Sequence, residues 1–266
     1  MASATAINTS APTTLTTTTT TTTTNALSEL ITSRNDGRPH LLLACSGSVA
    51  TIKAPNIITA LTTAHPNLSI RLILTASATN FLAGQSPEQP TLSALRALPG
   101  VDGIYHDADE WGRGPSIGAE EGVWRRGGGI LHIELRRWAD LMAVVPLSAN
   151  TLAKVVNGLC DNLLTSVVRA WDADGRVDGR RKRILVAPAM NTAMWLHPIT
   201  ARQIRVLSED WGVREDGDGD VVSGWFEVLR PQEKSLACGD VGDGAMKEWT
   251  EIVRAIEARM GLTSTS

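Results

Sequence analysis

Residues 40–50 read His-Leu-Leu-Leu-Ala-Cys-Ser-Gly-Ser-Val-Ala: an apolar run, a turn of small residues, then a segment that keeps a helical period as far as Ala64. A short apolar run bounded by a Ser-Gly turn marks a buried strand feeding a helix. The unit recurs along the chain. Ser69 to Thr75, Leu141 to Val145 and Ile184 to Ala187 are further runs rich in branched residues, each followed within a few residues by a helical pattern. This alternation predicts an α/β fold, a parallel sheet with helices on both faces. Ligands of such sheets bind beyond the carboxyl ends of the strands, so chemistry is expected in the turns after these runs.

Three of those turns are alike. Ser48, Val49 and Ala50 open the first helix, Thr75-Ala76-Ser77 follow the second strand, and Ser148-Ala149-Asn150-Thr151 follow the third. Backbone N–H groups at a helix start, with a hydroxyl beside them, suit a phosphate. The same residues are also good helix caps, and composition alone leaves both readings open. The full Gly-x-Gly-x-x-Gly pattern of a dinucleotide site is missing.

Three more segments carry reactive side chains. His132 lies in Leu131-His132-Ile133-Glu134-Leu135-Arg136-Arg137-Trp138, where an imidazole suits proton transfer but also suits packing, and where the Arg pair and Glu134 read as surface ion pairs. In Pro188-Ala189-Met190-Asn191-Thr192-Ala193-Met194-Trp195, the Asn191 amide is able to bond a carboxylate or a ring edge, with Met and Trp as an apolar wall. The plainer alternative is an N-capped helix with core Met and Trp. Ala237-Cys238-Gly239-Asp240-Val241-Gly242-Asp243-Gly244 is a Gly-rich loop around a thiol, fit either to close over a site or to hold an inert packed cysteine.

Composition narrows the field. The chain has 266 residues, 42% of them hydrophobic, and a net charge of -3, enough for one substantial core and without the basic stripe of a nucleic-acid or anionic-membrane binder. Arg136-Arg137 and the basic cluster from Arg180 to Arg183 are too short to supply one. Cys45, Cys160 and Cys238 show neither metal spacing nor an even count, so no metal is expected and a reducing, cytoplasmic compartment fits. No apolar run approaches the roughly 20 residues of a membrane span. Residues 1–36, with unbroken threonine from Thr16 to Thr24, read as a disordered tail; 37–260 read as one catalytic domain, and 261–266 as a second tail. Gly112 to Gly129, Ala173 to Arg183 and Arg214 to Gly224 read as solvent-exposed insertions, the last of them an acidic hairpin.

Taken together, the motifs resemble those of the homo-oligomeric flavin-containing Cys decarboxylases. Pro188 to Trp195 resembles their Pro-x-Met-Asn-x-x-Met-Trp motif and Leu236 to Asp240 their substrate clamp. His132 to Asp140, Pro146 to Leu152 and Gly158 to Thr165 look like the eukaryotic phosphopantothenoylcysteine decarboxylases, or halotolerance proteins. The resemblance runs from about Leu41 to Glu248. It implies a Rossmann-like flavoprotein fold, FMN as cofactor, 4'-phosphopantothenoylcysteine as substrate in coenzyme A synthesis, and a homotrimer with active sites at subunit interfaces. FMN contacts are implied for Ser48, Val49, Ala50, Thr75, Ala76, Ser77, Ser148, Ala149, Asn150, Thr151 and Ala189. His132 is implied as base, Asn191 as holder of the substrate carboxylate, Ala237 as a substrate contact and Cys238 as proton donor. Ser235 and Asp243 depart from the basic residue and the Asn usual in the clamp. Some fungal relatives instead regulate, as members of a mixed trimer or as inhibitors of a type 1 protein phosphatase. An acidic C-terminal tail tends to mark those regulators, and this chain reaches Ser266 without one.

Overall fold

A computed structural model describes residues 23–110, 126, 128–235 and 241–263. The strands are β1 (His40–Cys45), β2 (Ser69–Leu74), β3 (Val101–Tyr105), β4 (Leu141–Leu147), β5 (Ile184–Pro188), β6 (Arg214–Glu215), β7 (Val221–Ser223), β8 (Phe226–Val228), β9 (Gln232–Ser235) and β10 (Val241–Ala245). The helices are α1 (Thr23–Thr32), α2 (Ala54–Ala64), α3 (Ala76–Thr79), α4 (Leu92–Arg96), α5 (Leu131–Trp138), α6 (Ala149–Val156), α7 (Leu163–Arg169), α8 (Thr192–Leu196), α9 (Pro198–Arg205) and α10 (Trp249–Met260).

Six strands form one sheet in the order β3-β2-β1-β4-β5-β8, every neighbouring pair parallel. This is the Rossmann-like order, in which the chain first winds outward from β1 and then restarts at β4 on its other side, leaving a crevice between those two strand ends. The reason β1 sits at the centre is plain from its side chains. Leu41, Leu43 and Cys45 enter one apolar cluster and Leu42 and Ala44 the other, so both faces of the strand need a helical cover. On the first face α2 presents Ile57, Ile58 and Leu61, and α10 packs beside it with Ile252, Val253 and Ile256. On the second, α5, α6, α7 and α9 supply Leu131, Leu135, Leu152, Leu163 and Ile204. The helix α2 carries Pro55 in its first turn, where the missing N–H costs nothing, and stops at His65, which precedes Pro66.

Four expectations need correction. The N-terminal tail was drawn too long: residues 23–35 form α1 and a 3-10 turn, Leu30 is fully buried, and α1 lies on α5 because Leu27 and Leu30 complete its apolar face. At the other end Gly261 adopts φ +63° to cap α10, which lets the Leu262 N–H reach the Glu257 carbonyl at 2.9 Å and its side chain pack on the core. The segment from Ala173 to Arg183 is not simply solvated, since Lys182 is buried between Asp178 and the Arg136 carbonyl. Glu134 and Arg136 are likewise buried, not surface ion pairs: Glu134 holds Arg34 and Arg137, and Arg136 holds Asp178 at 2.9 Å. The hairpin β6–β7 is exposed, closed by the Asp216 carboxylate accepting from the Asp218 and Asp220 N–H groups. The expected insertion at Gly112 to Gly129 lies almost wholly outside the described residues.

Because Leu30 fills a closed apolar site, Leu30→Ala should cost about 2–5 kcal/mol in chemical denaturation, and deleting residues 1–36 should lower the melting temperature. Unchanged stability in both would show that α1 contributes nothing to the core.

Candidate active site

The turns after β1, β2, β4 and β5 open into one cleft of about 750 Å³, within the roughly 300–1,000 Å³ usual for small-molecule sites. It lies where the topology puts it, over the carboxyl ends of the central strands. The turn residues Ser48 to Ala50, Thr75 to Ser77, Ser148 to Thr151, Ala189 and Asn191 all line it.

Ser46 ties two of these turns together. Its N–H and hydroxyl donate to the Pro146 carbonyl at 3.1 and 2.9 Å, and its oxygen accepts from the Ser148 N–H at 2.7 Å. Next to it, Gly47 permits contact with the second turn, since a Cβ there would stand 2.5 Å from the Ser77 Cβ. The hydroxyls do cap their helices: Ser48 accepts from Ala50, Thr75 from Ala78 and Ser148 from Thr151. Capping and anion binding are nevertheless compatible. A cap satisfies the N2 or N3 group, and the N–H groups of Val49, Ala76, Ser77, Ala149 and Asn150 have no backbone or side-chain acceptor among the described residues.

Asn191 stands at the start of α8, where its Oδ1 accepts from the Met194 N–H at 2.8 Å. That bond spends the acceptor end of the amide and leaves the NH₂ end as donor, the end a carboxylate requires. Asn191 and Met194 are exposed on the cleft, so Met194 is wall and not core as the plainer expectation had it. The clamp segment returns as β10, docked on the turn after β5: the Met190 N–H donates to the Gly244 carbonyl at 3.0 Å, and a Cβ on Gly244 would lie 2.3 Å from the Met190 carbonyl. Gly244, Ala245 and Met246 thereby line the cleft. Ala237 and Cys238 fall between β9 and β10, outside the described residues.

His132 is not among the residues lining this cleft. It sits in the first turn of α5, with 20% of its side chain exposed, its Nδ1 and backbone N–H both on the buried Glu110 carboxylate. Sequence reading missed Asp107, Lys53, Lys154, Asp161 and Trp249, which also line the cleft. Lys154 pairs with Asp161 at 2.7 Å, and that hydrogen bond holds the Asp161 carboxyl below the usual carboxylate range. Asp107 accepts from the Leu163 N–H at 3.1 Å and so anchors the start of α7.

The family profile described as Flavoprotein matches residues 29–261. A mouse phosphopantothenoylcysteine decarboxylase is 40% identical over 219 residues, 82% of this chain and 85% of its own. The chain belongs to the flavoprotein family, in its phosphopantothenoylcysteine decarboxylase branch. Among solved structures, a PPC decarboxylase mutant complexed with pantothenoylaminoethenethiol superposes with TM-score 0.60 at 37% identity, covering 83% of this chain and 97% of that one. The FMN binding protein AtHal3 superposes with TM-score 0.58 at 38% identity, covering 83% and 96%. The chain spans about a third of the length of several fungal relatives it matches.

Cys45, the flavoprotein cysteine beneath the first turn, is fully buried with its thiol on the Val145 carbonyl, and burial pushes its pKa up to about 12. Cys160 is exposed. Iodoacetamide at about pH 8.5 should therefore alkylate Cys160 and spare Cys45 until the protein unfolds. Equal labelling of both in the native protein would refute the burial.

Proposed function

We propose that this chain is an FMN-dependent phosphopantothenoylcysteine decarboxylase that forms 4'-phosphopantetheine in coenzyme A biosynthesis. The observation that carries the proposal is one cleft holding three free-amide turns, the Asn191 donor and the root of the clamp. The residues fit FMN. Unpaired N–H groups at helix starts suit its phosphate, while Met190, Met194 and Trp249 give the ring an apolar wall. When bound, FMN supplies a two-electron acceptor and later donor, so that the thiol carbon is oxidised, the carboxylate acquires an electron sink, and no net redox change remains.

The protein's own groups perform the rest. Asn191 donates to the substrate carboxylate and fixes it over the cleft. His132 takes the proton released as the thiol is oxidised. Ala237 contacts the substrate, and the Cys238 thiol returns a proton at the end. The assembly is a homotrimer, supported by two observations. His132 does not reach its own cleft, so a neighbouring protomer's cleft is where it acts; and α8 with α9 exposes Leu196 and Ile199, apolar side chains suited to burial between copies. Free Cys45 and Cys160 suit a cytoplasmic protein.

Purified protein should be yellow and convert 4'-phosphopantothenoylcysteine to carbon dioxide and 4'-phosphopantetheine; a protein that neither carries nor takes up FMN would refute the proposal. His132→Asn and Asn191→Ala should each abolish turnover while keeping FMN. Co-expressed, the two should recover roughly a quarter of wild-type activity, the share of shared sites that random trimers leave intact. No recovery in mixed trimers would place both residues in one protomer's site.

A further inference from the structure

The decarboxylase reading assigns His132 the role of base, and the structure shows what holds that imidazole. Glu110 follows the 3-10 turn Asp107–Asp109 that leads out of β3, and only 3% of its side chain is exposed. One carboxylate oxygen, Oε2, accepts from the His132 backbone N–H at 3.1 Å, and the other, Oε1, makes a short contact with His132 Nδ1. Helix α5 has no cap of its own, because its N-cap residue is Ile130. A carboxylate brought from elsewhere in the chain therefore stands at the positive end of the helix dipole, satisfying a first-turn N–H and gripping the ring of the same residue.

We infer that Glu110 is the positioning residue of the active-site base. Resting on the assignment of His132 as base, the inference adds which ring nitrogen acts and why. A carboxylate only accepts, so His132 Nδ1 must carry the proton that joins them, and the lone pair is left on Nε2. When Nε2 takes a proton, the imidazolium that forms already has a carboxylate beside it, and no group has to move.

Among the described residues, no other charged group bonds His132. On the helix itself Glu134 pairs with Arg34 of the turn Ser33–Asn35 and with Arg137, and Arg136 pairs with Asp178. Of the neighbouring helices, α1 contributes Glu29 and α7 contributes Arg169, and neither bonds His132. Asp109 is occupied with the His106 N–H at 2.7 Å.

Glu110→Gln separates positioning from mere capping. The amide oxygen can still accept from the His132 N–H, so the helix start survives, but the amide NH₂ now donates to Nδ1 and drives the ring proton onto Nε2. Thermal stability and FMN content should stay near wild type, and substrate affinity should change less than about threefold. Flavin reduction by substrate should slow on the order of 100-fold or more, as when a base's orienting carboxylate becomes an amide. Nitrogen-15 spectra of histidine-labelled protein, with the His132 signal assigned from its loss in His132→Asn, should show the Nδ1–H tautomer in wild type and Nε2–H in the variant. Wild-type reduction rates in a folded Glu110→Gln protein, or an Nε2–H tautomer in wild type, would overturn the inference. If Glu110→Gln does not fold, the wild-type tautomer decides alone. The spectrum needs no turnover, so an inactive wild type that shows the Nδ1–H tautomer would sink the decarboxylase reading, and with it the base, while leaving the pairing of Glu110 with His132 Nδ1 standing.

Discussion

Ser46 is the knot on which the site depends. Within one residue it gives two hydrogen bonds to the Pro146 carbonyl and takes one from the Ser148 N–H, joining the turn after β1 to the turn after β4. These are the two strand ends between which the sheet order reverses. At such a point no helix crosses over to cover the backbone, so a crevice stays open and its polar groups must find partners or ligands. Ser46 is fully buried, and a fourth bond, from the Thr51 hydroxyl to its carbonyl, ties the following 3-10 turn to the same place. Loss of the Ser46 oxygen would leave the Ser148 N–H buried and unpaired, a cost of about 1–3 kcal/mol concentrated at the cleft.

Two close approaches extend that knot to the other walls. Gly47 lets the first turn touch the second, and Gly244 lets β10 lie against the Met190 carbonyl. A Cβ at either position would have to push aside backbone or the Ser77 Cβ, which the backbone fixes. The cleft is thus assembled from backbone contacts among four turns and one clamp strand, which keeps the amide N–H groups aimed at a common volume with little reorganisation when a ligand enters.

The central strands were legible because they are buried on both faces: β1 runs from His40 to Cys45 as expected, and β2, β4 and β5 differ only at their last residues. β3 and β8 were not, for a physical reason. They are the sheet edges, and β3 carries Asp102 and Gly103 while β8 is three residues long with Glu227 in its middle, so neither makes an apolar run. Missing β3 also hid the turn after it, and with it Asp107 in the cleft and Glu110 under His132. The α1 helix was hidden differently, since its buried Leu30 and half-buried Leu27 stand shortly after a threonine tract that dominates any compositional reading. Phosphate-type turns and the Asn191 motif were visible as residues, but their convergence needed the fold. The position of His132 outside the cleft of its own chain had no signal in the residues around it; the family resemblance alone hinted at it, through the sites it implies at subunit interfaces.

The buried charges of α5 show how a short helix holds a reactive side chain still. Eight residues cannot make a stable helix unaided, and here the first turn bonds a distant carboxylate while the last bonds Asp178 and, through the Arg136 carbonyl, Lys182 at 2.6 Å. Burial lowers the Lys182 pKa, yet Asp178 at 2.8 Å keeps a counter-charge beside it. Ion pairs of this kind add little net stability, because desolvation offsets most of their attraction. Removing one partner is different, since the charge left behind has no water to turn to. The pairs therefore penalise every alternative placement of the helix more than they reward the native one. For the base proposed at His132, that penalty is useful: the register of α5 fixes where the imidazole stands, and the Glu110 carboxylate holds its Nδ1.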